Sequence, residues 1–274
     1  MGAVKKHDEE EGFKEVKIKY KYIYGPVSSW RLGSSLGIDL LSQNEKICNF
    51  NCIYCQLGKT QRYITERKVY VSVEKIINEI KSLPPDLEID YYTFSGRGEP
   101  TLAKNFGEVV EALRRIKRSP IAVLTNSSLI DKEQVRDELA KVDFVALKLD
   151  AYSQNSLKKI NQQAPGIQLS SIIEGISRFR KQFKGRLALQ IMFIEENKDH
   201  IDEFINLVKR IKPDEVQINT PLRLSDVEPL SKDEITRIKE RFDELDMDIV
   251  SVYEAKHKEV KPLSSEETLK RRGK

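Results

Sequence analysis

Short β-rich apolar runs alternate with amphipathic runs along most of the chain, beginning near residue 36. Apolar positions in the amphipathic runs recur every three or four residues, as in helices that bury one face. Strands are predicted at 36–41, 89–94, 121–125, 144–149, 187–193, 215–219 and 249–253. Helices are predicted at 73–80, with Ser72 as N-cap, and at 105–117, 131–141, 171–183, 200–211 and 231–245.

This alternation predicts a parallel sheet with right-handed crossovers. Six strand–helix units are too few to close an eight-fold barrel. The expected fold is therefore α/β, an open, partial (β/α)6 barrel of the TIM type. We expect the barrel to occupy 31–255, between a polar N-terminal arm at 1–30 and a basic tail at 256–274 that could be disordered.

Charge and composition restrict the partners only weakly. The chain has 47 Lys and Arg against 43 Asp and Glu, a net charge of +4 that is too small to predict nucleic-acid binding. Lysine and tyrosine are interleaved between Lys14 and Tyr24. That pattern favours an alternating edge strand, and RNA stacking is the alternative.

The chain shows no membrane-spanning pattern and no signal peptide. No apolar run approaches the length of a membrane span, and 1–12 is charged throughout. An odd number of cysteines gathered in one segment argues against structural disulfides. We therefore expect a cytoplasmic protein in a reducing cell, without contact to a membrane.

All 3 cysteines of the chain lie together, as Cys48, Cys52 and Cys55. Iron–sulfur clusters are normally held by four thiolates, so a loop with three leaves one iron of a four-iron cluster open. The alternative is a structural zinc site, which needs a fourth ligand. The histidines that could supply it are remote in sequence: His7, His200 and His257.

A second motif follows the predicted strand 89–94. It reads Ser-Gly-Arg-Gly-Glu-Pro-Thr at 95–101 and contains Gly96, Gly98, Glu99 and Pro100. Its glycines allow the backbone to approach a ligand closely, and Glu99 offers an acceptor for an ammonium group. Taken alone, Gly-Glu-Pro is also an ordinary turn.

Polar side chains stand at the carboxyl ends of later strands, where ligand sites of parallel barrels gather. Asn126 follows 121–125, Gln190 lies within 187–193, and alternation places Lys148 and Asp150 on one face. Asn126 could instead be a turn former and Asp150 a helix N-cap. Lys148 could instead be paired in a salt bridge.

Together, the cysteine spacing, Tyr54 before the third cysteine and the Gly-x-Gly-Glu-Pro segment resemble the radical S-adenosylmethionine (SAM) superfamily. Residues 24–102 further resemble a subgroup labelled wyosine-synthase-related, with Ser28 and Trp30 departing from its usual Pro and Arg. The resemblance implies a [4Fe–4S] cluster on the three cysteines and SAM as second cofactor. Reductive cleavage of SAM would give a 5′-deoxyadenosyl radical that abstracts hydrogen from a substrate.

The resemblance also implies roles for particular residues. The Gly96–Pro100 segment would contact the methionine half of SAM, with Glu99 accepting from its ammonium group. Asn126, Asp150 and Gln190 would contact its ribose or carboxylate, and Tyr54 would pack against its adenine. The electron donor would be of flavodoxin or ferredoxin type.

The substrate stays open between a tRNA or other nucleobase and a partner protein that receives a glycyl radical. A non-catalytic iron–sulfur or zinc-binding protein is the third hypothesis. Wyosine synthases carry further cysteines for a second cluster, and this chain has none. Arg31 and Arg223 would either grip an anionic substrate or pair with carboxylates.

Overall fold

The computed structural model describes residues 20–255 and 258–272, and its strands form a single eight-stranded sheet. The strands run in chain order across the sheet. They are β1 Ile23–Ser29, β2 Gly33–Ile38, β3 Tyr91–Phe94, β4 Ile121–Thr125, β5 Phe144–Lys148, β6 Arg186–Met192, β7 Glu215–Asn219 and β8 Asp248–Ser251.

Helices connect successive parallel strands from β2 to β8, while β1 pairs antiparallel with β2. The helices are α1 Val73–Lys81, α2 Phe106–Ile116, α3 Glu133–Leu139, α4 Gln154–Ser156, α5 Leu169–Gln182, α6 Ile201–Ile211, α7 Lys232–Phe242 and α8 Ser265–Arg272. The sheet curls but stays open between β1 and β8, so the expected partial barrel is confirmed. None of the described helices is both long and apolar enough to span a lipid bilayer.

Local sequence explains where several helices begin. The Ser72 side chain accepts from the N–H of Lys75 and caps α1 as predicted. A capping box of Ser231 and Glu234 starts α7, because each side chain satisfies the other's free backbone N–H. A π-turn, Leu157–Asn161, follows α4 and was not predicted.

The two faces of the sheet differ in a way that positions the cavity. Leu187, Leu189 and Ile191 of β6 are buried in the main core. The alternate residues of the strands face the barrel interior, where Ala122, Phe144, Ala146 and Ala188 form a separate apolar cluster. Polar residues follow them toward the carboxyl ends: Lys148 on β5, in register with Gln190 on β6, and Asn219 on β7.

Both terminal segments differ from the sequence expectation. The arm expected at 1–30 contains β1, which belongs to the same sheet because Ile23 and Tyr24 are buried there. The tail expected at 256–274 contains α8, whose Thr268 hydroxyl accepts from the N–H of Gly25 at 3.1 Å. The sequence predicts an alternating strand between Lys14 and Tyr24. Positions 14–19 of that segment lie outside the described residues.

Candidate active site

The three cysteines lie in the loop after β2, at the carboxyl end of the sheet. A β-bridge between Ile47 and Gly98 holds this loop against the segment that follows β3. The loop borders a cavity of about 480 Å³, a size typical of small-molecule sites. The cavity is lined by all of the predicted cluster ligands, Cys48, Cys52 and Cys55.

Only glycine fits at position 98. Its φ is +149°, and a Cβ there would lie 1.7 Å from the carbonyl oxygen of Ile47. The N–H of Glu99 donates to the same carbonyl at 3.0 Å. This close approach joins the cysteine loop to the Gly-Glu-Pro segment, so the two motifs found in the sequence form one wall.

Cys48 is the most buried of the three thiols. Burial, together with the neighbouring Cys52, raises the pKa of the Cys48 thiol to about 12. The N–H of Phe50, 3.4 Å from the sulfur, offsets this only in part. Such a thiol is neutral at physiological pH, so it becomes a ligand only when a metal cation displaces its proton.

All three sulfurs have a side-chain donor, which for Cys48 is Asn126 Nδ2 at 3.8 Å. Asn161, at the end of the π-turn, directs Nδ2 to Cys52 Sγ at 3.4 Å. Lys46 directs Nζ to Cys55 Sγ at 3.1 Å. Donors of this kind orient metal ligands and stabilise their charged form. Sequence reasoning missed Asn161 and Lys46, although Lys46 stands only two positions before the first cysteine.

The Glu99 carboxylate is almost completely enclosed, with 2% of the residue exposed. Its Oε1 accepts from the N–H and hydroxyl of Thr101, at 3.0 and 2.7 Å, and from the hydroxyl of Thr125 at 2.6 Å. Among the described residues, its Oε2 accepts only from the N–H of Asn126, at 2.6 Å. Burial nevertheless raises the pKa of Glu99. Oε2 is therefore the oxygen with room for a further donor.

Asp150 lies behind the cavity wall. Its Oδ2 accepts from the hydroxyl of Tyr54 and from Asn161 Nδ2, and lies 3.5 Å from Lys148 Nζ. Its Oδ1 accepts from the N–H of Met192 at 2.8 Å. Asp150 is not among the described residues that line the cavity, so a direct contact with a ligand stays a prediction. Asp150 holds Tyr54 and Lys148 in place.

Tyr54 borders the cavity but is only 5% exposed. Lys148 Nζ lies 4.5 Å from the centroid of its ring and 3.1 Å from its hydroxyl oxygen. Burial and the nearby Asp150 raise the pKa of Tyr54 well above its ordinary value. The tyrosine is therefore a neutral, fixed apolar surface beside the cysteine loop.

Gln190 and Asn126 both border the cavity, and their contact with SAM stays a prediction. The Gln190 Nε2 atom is buried and has no hydrogen-bond partner in the part of the chain that the structure describes. Asn126 is held by its Nδ2 donating to Asn49 Oδ1 at 2.9 Å. A buried amide without an acceptor is uncommon, so Gln190 is prepared for a ligand oxygen.

The cavity thus unites most of the predicted residues. Pro100 is the other exception besides Asp150, since it is buried at the start of a 3-10 turn, Pro100–Leu102. Arg31 and Arg223, for which two hypotheses were open, both border the cavity. The predicted residues on the cavity wall are Cys48, Cys52, Tyr54, Cys55, Gly96, Gly98, Glu99, Asn126 and Gln190.

The residues present fit a [4Fe–4S] cluster and SAM. Three thiols, each with a nitrogen donor near its sulfur, suit an iron–sulfur cluster. Glu99 Oε2 suits an amino group, and the free amide of Gln190 suits a hydroxyl or carboxylate oxygen. No group of three His, Cys, Asp or Glu side chains within 20–255 and 258–272 is arranged to hold a single metal ion.

Comparison with known proteins agrees with this site. The family model of the radical SAM superfamily matches residues 46–208. A UPF0026 protein of Synechocystis is 40% identical over 202 residues, covering 73% of this chain and 76% of the relative. A probable GTP 3′,8-cyclase of Saccharolobus islandicus is 23% identical over 204 residues, covering 73% and 62%.

Solved structures share the fold. Streptococcus suis SuiB bound to S-adenosylmethionine has a TM-score of 0.57 and 15% identity, over 76% of this chain and 48% of that one. Archaeal TYW1 has a TM-score of 0.53 and 18% identity, over 77% and 71%. This chain therefore spans about half the length of the first of these structures. Cofactors characteristic of the matched family are a [4Fe–4S] cluster and SAM. The chain belongs to the radical SAM superfamily and is an enzyme.

Proposed function

We propose that this chain is a single-cluster radical SAM enzyme that abstracts a hydrogen atom from a nucleotide, either free or within RNA. One observation carries the proposal: the three thiols, Glu99 and the polar ends of β5, β6 and β7 all border one cavity. Cofactor and substrate would therefore meet in a single enclosed space. One electron would come from a flavodoxin- or ferredoxin-type protein.

The chain's own residues have separate tasks at this site. Cys48, Cys52 and Cys55 would hold the cluster through three thiolates, which leaves it a position open for SAM. When bound, the cluster supplies the one-electron reduction that cleaves SAM. Glu99 Oε2 accepts from the amino group, and Gln190 donates to an oxygen of the nucleoside half.

Tyr54 and its support keep the nucleoside half of SAM in one place. The Tyr54 hydroxyl is fixed by Asp150, so the ring cannot rotate away from the cavity. Met192, at the end of β6, adds an apolar surface to the same wall. A restricted position for SAM matters because a radical released into open space would attack solvent or protein.

The substrate class is supported by one of the similar proteins, since the probable GTP 3′,8-cyclase is named for a nucleotide substrate. The 3 cysteines of the chain suffice for one three-thiolate cluster and leave none for another. A reducing compartment such as the cytoplasm suits these free thiols.

Anaerobic reconstitution tests the proposal. We expect about four irons and four sulfides per chain, and an electron paramagnetic resonance signal that changes when SAM is added. With dithionite, 5′-deoxyadenosine should form, and it should form faster with GTP or bulk tRNA. Deuterium transferred from a labelled base into 5′-deoxyadenosine would identify the substrate. Stimulation by added peptides alone would overturn the nucleotide assignment and favour a protein substrate.

A further inference from the structure

Three arginines from different parts of the chain meet on the cavity wall. Arg31 lies in the turn between β1 and β2, Arg223 in the loop after β7, and Arg272 at the end of α8. Arg223 Nη1 donates to the carbonyl of Arg272 at 3.1 Å and to Gln56 Oε1 at 2.8 Å. Because Gln56 directly follows Cys55, this arginine wall adjoins the cysteine loop.

No member of the arginine wall has a carboxylate partner. Among the described residues, none of the three guanidinium groups lies within 4.0 Å of an Asp or Glu oxygen. The Nε and Nη1 atoms of Arg31 are buried and have no hydrogen-bond partner there. Arg271, one residue before Arg272, bonds to Asp39 and other acceptors. The absence of carboxylate partners is therefore a property of the arginine wall and not of this region in general.

The three charges also oppose one another. Burial, together with the charges of Arg223 and Arg272, lowers the pKa of Arg31 to about 10, an effect that the charge of Glu215 opposes only in part. Burial, followed by the charge of Arg272, lowers the pKa of Arg223 to about 10. All three groups stay charged at neutral pH. A cluster of partly buried like charges without a carboxylate partner is unfavourable until an anion enters it.

We propose that the arginine wall binds a phosphate group of the substrate nucleotide, an inference that rests on the proposed function. Guanidinium groups match phosphate oxygens in shape and can bind them in pairs. Three positive charges suit a phosphate dianion or diphosphate better than the single carboxylate of SAM. The arginine wall would hold the phosphate end and so direct the base toward the cofactor.

Isothermal titration of the reconstituted, anaerobic enzyme tests this proposal. We expect GMP and inorganic pyrophosphate to bind, and guanosine to bind at least about tenfold more weakly than GMP. R31Q/R223Q should weaken GMP binding at least about tenfold while changing SAM affinity less than about twofold. Binding of a 5′-phosphorylated RNA oligonucleotide is then compared with binding of its 5′-hydroxyl form. Tighter binding of the phosphorylated form means that the arginine wall binds a terminal phosphate, and equal binding means that it binds a phosphate within the RNA backbone.

R272Q keeps the proposal testable if R31Q/R223Q fails to fold, because the Arg272 side chain makes no hydrogen bond or ion pair with any described residue. It should reduce GMP affinity with unchanged circular dichroism. R178Q is the matched control, since Arg178 is an exposed helix residue that pairs only with Glu174. Its GMP affinity should equal that of the parent.

Two results would overturn the proposal: equal affinity for GMP and guanosine, or arginine variants that lose SAM binding instead of GMP binding. The second result would assign the arginine wall to the SAM carboxylate. A different result would contradict the proposed function without contradicting the phosphate site. If GMP binds through the arginines but no nucleotide donates hydrogen to 5′-deoxyadenosine, the phosphate site stands and the nucleotide chemistry does not.

Discussion

Arg271 and Asp39 lie 232 positions apart in the chain, yet Arg271 Nε is 3.0 Å from Asp39 Oδ2. Both side chains are buried, at 2% and 1% exposure. Arg271 also donates to Glu267 Oε2 at 2.6 Å and to Ser42 Oγ at 2.8 Å. The other carboxylate oxygen of Asp39, Oδ1, accepts from the N–H of Leu41 at 3.1 Å. Helix α8 is thereby fixed to the chain just ahead of the cysteine loop.

Arg271→Ala should destabilise the protein by about 3–5 kcal/mol, because it leaves Asp39 buried without its charged partner. Burial alone already raises the pKa of Asp39. Urea denaturation of parent and variant measures the difference. Arg178→Ala, which removes an exposed pair, should cost less than about 1 kcal/mol. Equal effects of the two substitutions would mean that the buried pair adds nothing to stability.

Cys52→Ala should abolish cluster assembly and reduce 5′-deoxyadenosine formation about 100-fold or more, since even outer partners of a metal site matter 10- to 100-fold. The fold should persist because Cys52 lies in a loop outside the barrel core. Iron content, circular dichroism and product formation are the measurements. A variant that retains the parental rate would remove Cys52 from the ligand set.

Gly98→Ala should displace the cysteine loop, because the new Cβ would collide with the Ile47 carbonyl. An alanine in this backbone conformation should by itself lower the free energy of unfolding by about 1–3 kcal/mol. Gly166→Ala is the matched control, with φ of +89° and nothing within 4 Å of a Cβ. We expect both variants to lose stability and only Gly98→Ala to lose iron uptake. Full iron content in Gly98→Ala would argue against the close approach.

Glu99→Ala should weaken SAM binding more than cluster assembly. It should also cost about 2–4 kcal/mol of stability, because several buried donors of Thr101, Thr125 and Asn126 lose their acceptor. Thr125→Val removes only one of these bonds and should leave SAM affinity within about threefold of the parent. Calorimetric titration with SAM and iron analysis separate the effects. Equal loss of SAM and iron would contradict the role of Oε2.

The sequence predicted the parts of the site that depend on local pattern. Cysteine spacing and the glycines around Glu99 are contiguous, and strand periodicity placed Gln190 on the inner face of the sheet, where it borders the cavity. The contact of Asp150 with Tyr54 was not predictable in this way, because the two residues are 96 positions apart. Asn161 was missed because its approach to Cys52 depends on a π-turn, for which the sequence carries no periodic signal.

The terminal helix was unpredictable for a different reason. Residues 265–272 are almost entirely polar, so periodicity gives no apolar stripe to recognise. Its attachment depends on one arginine, Arg271, and on an aspartate far away in sequence. The arginine wall has the same property, because Arg31 and Arg272 are separated by nearly the whole barrel. Only the folded chain brings them together.

The position of α8 has a consequence for the order of events during protein synthesis. A ribosome-bound chain that has emerged as far as β6 already carries the three thiols, Glu99 and Gln190. It lacks both Arg223 and Arg272. All of the proposed cluster ligands are therefore synthesised before the arginine wall is complete, and the proposed phosphate site can form only once α8 has packed beside β1.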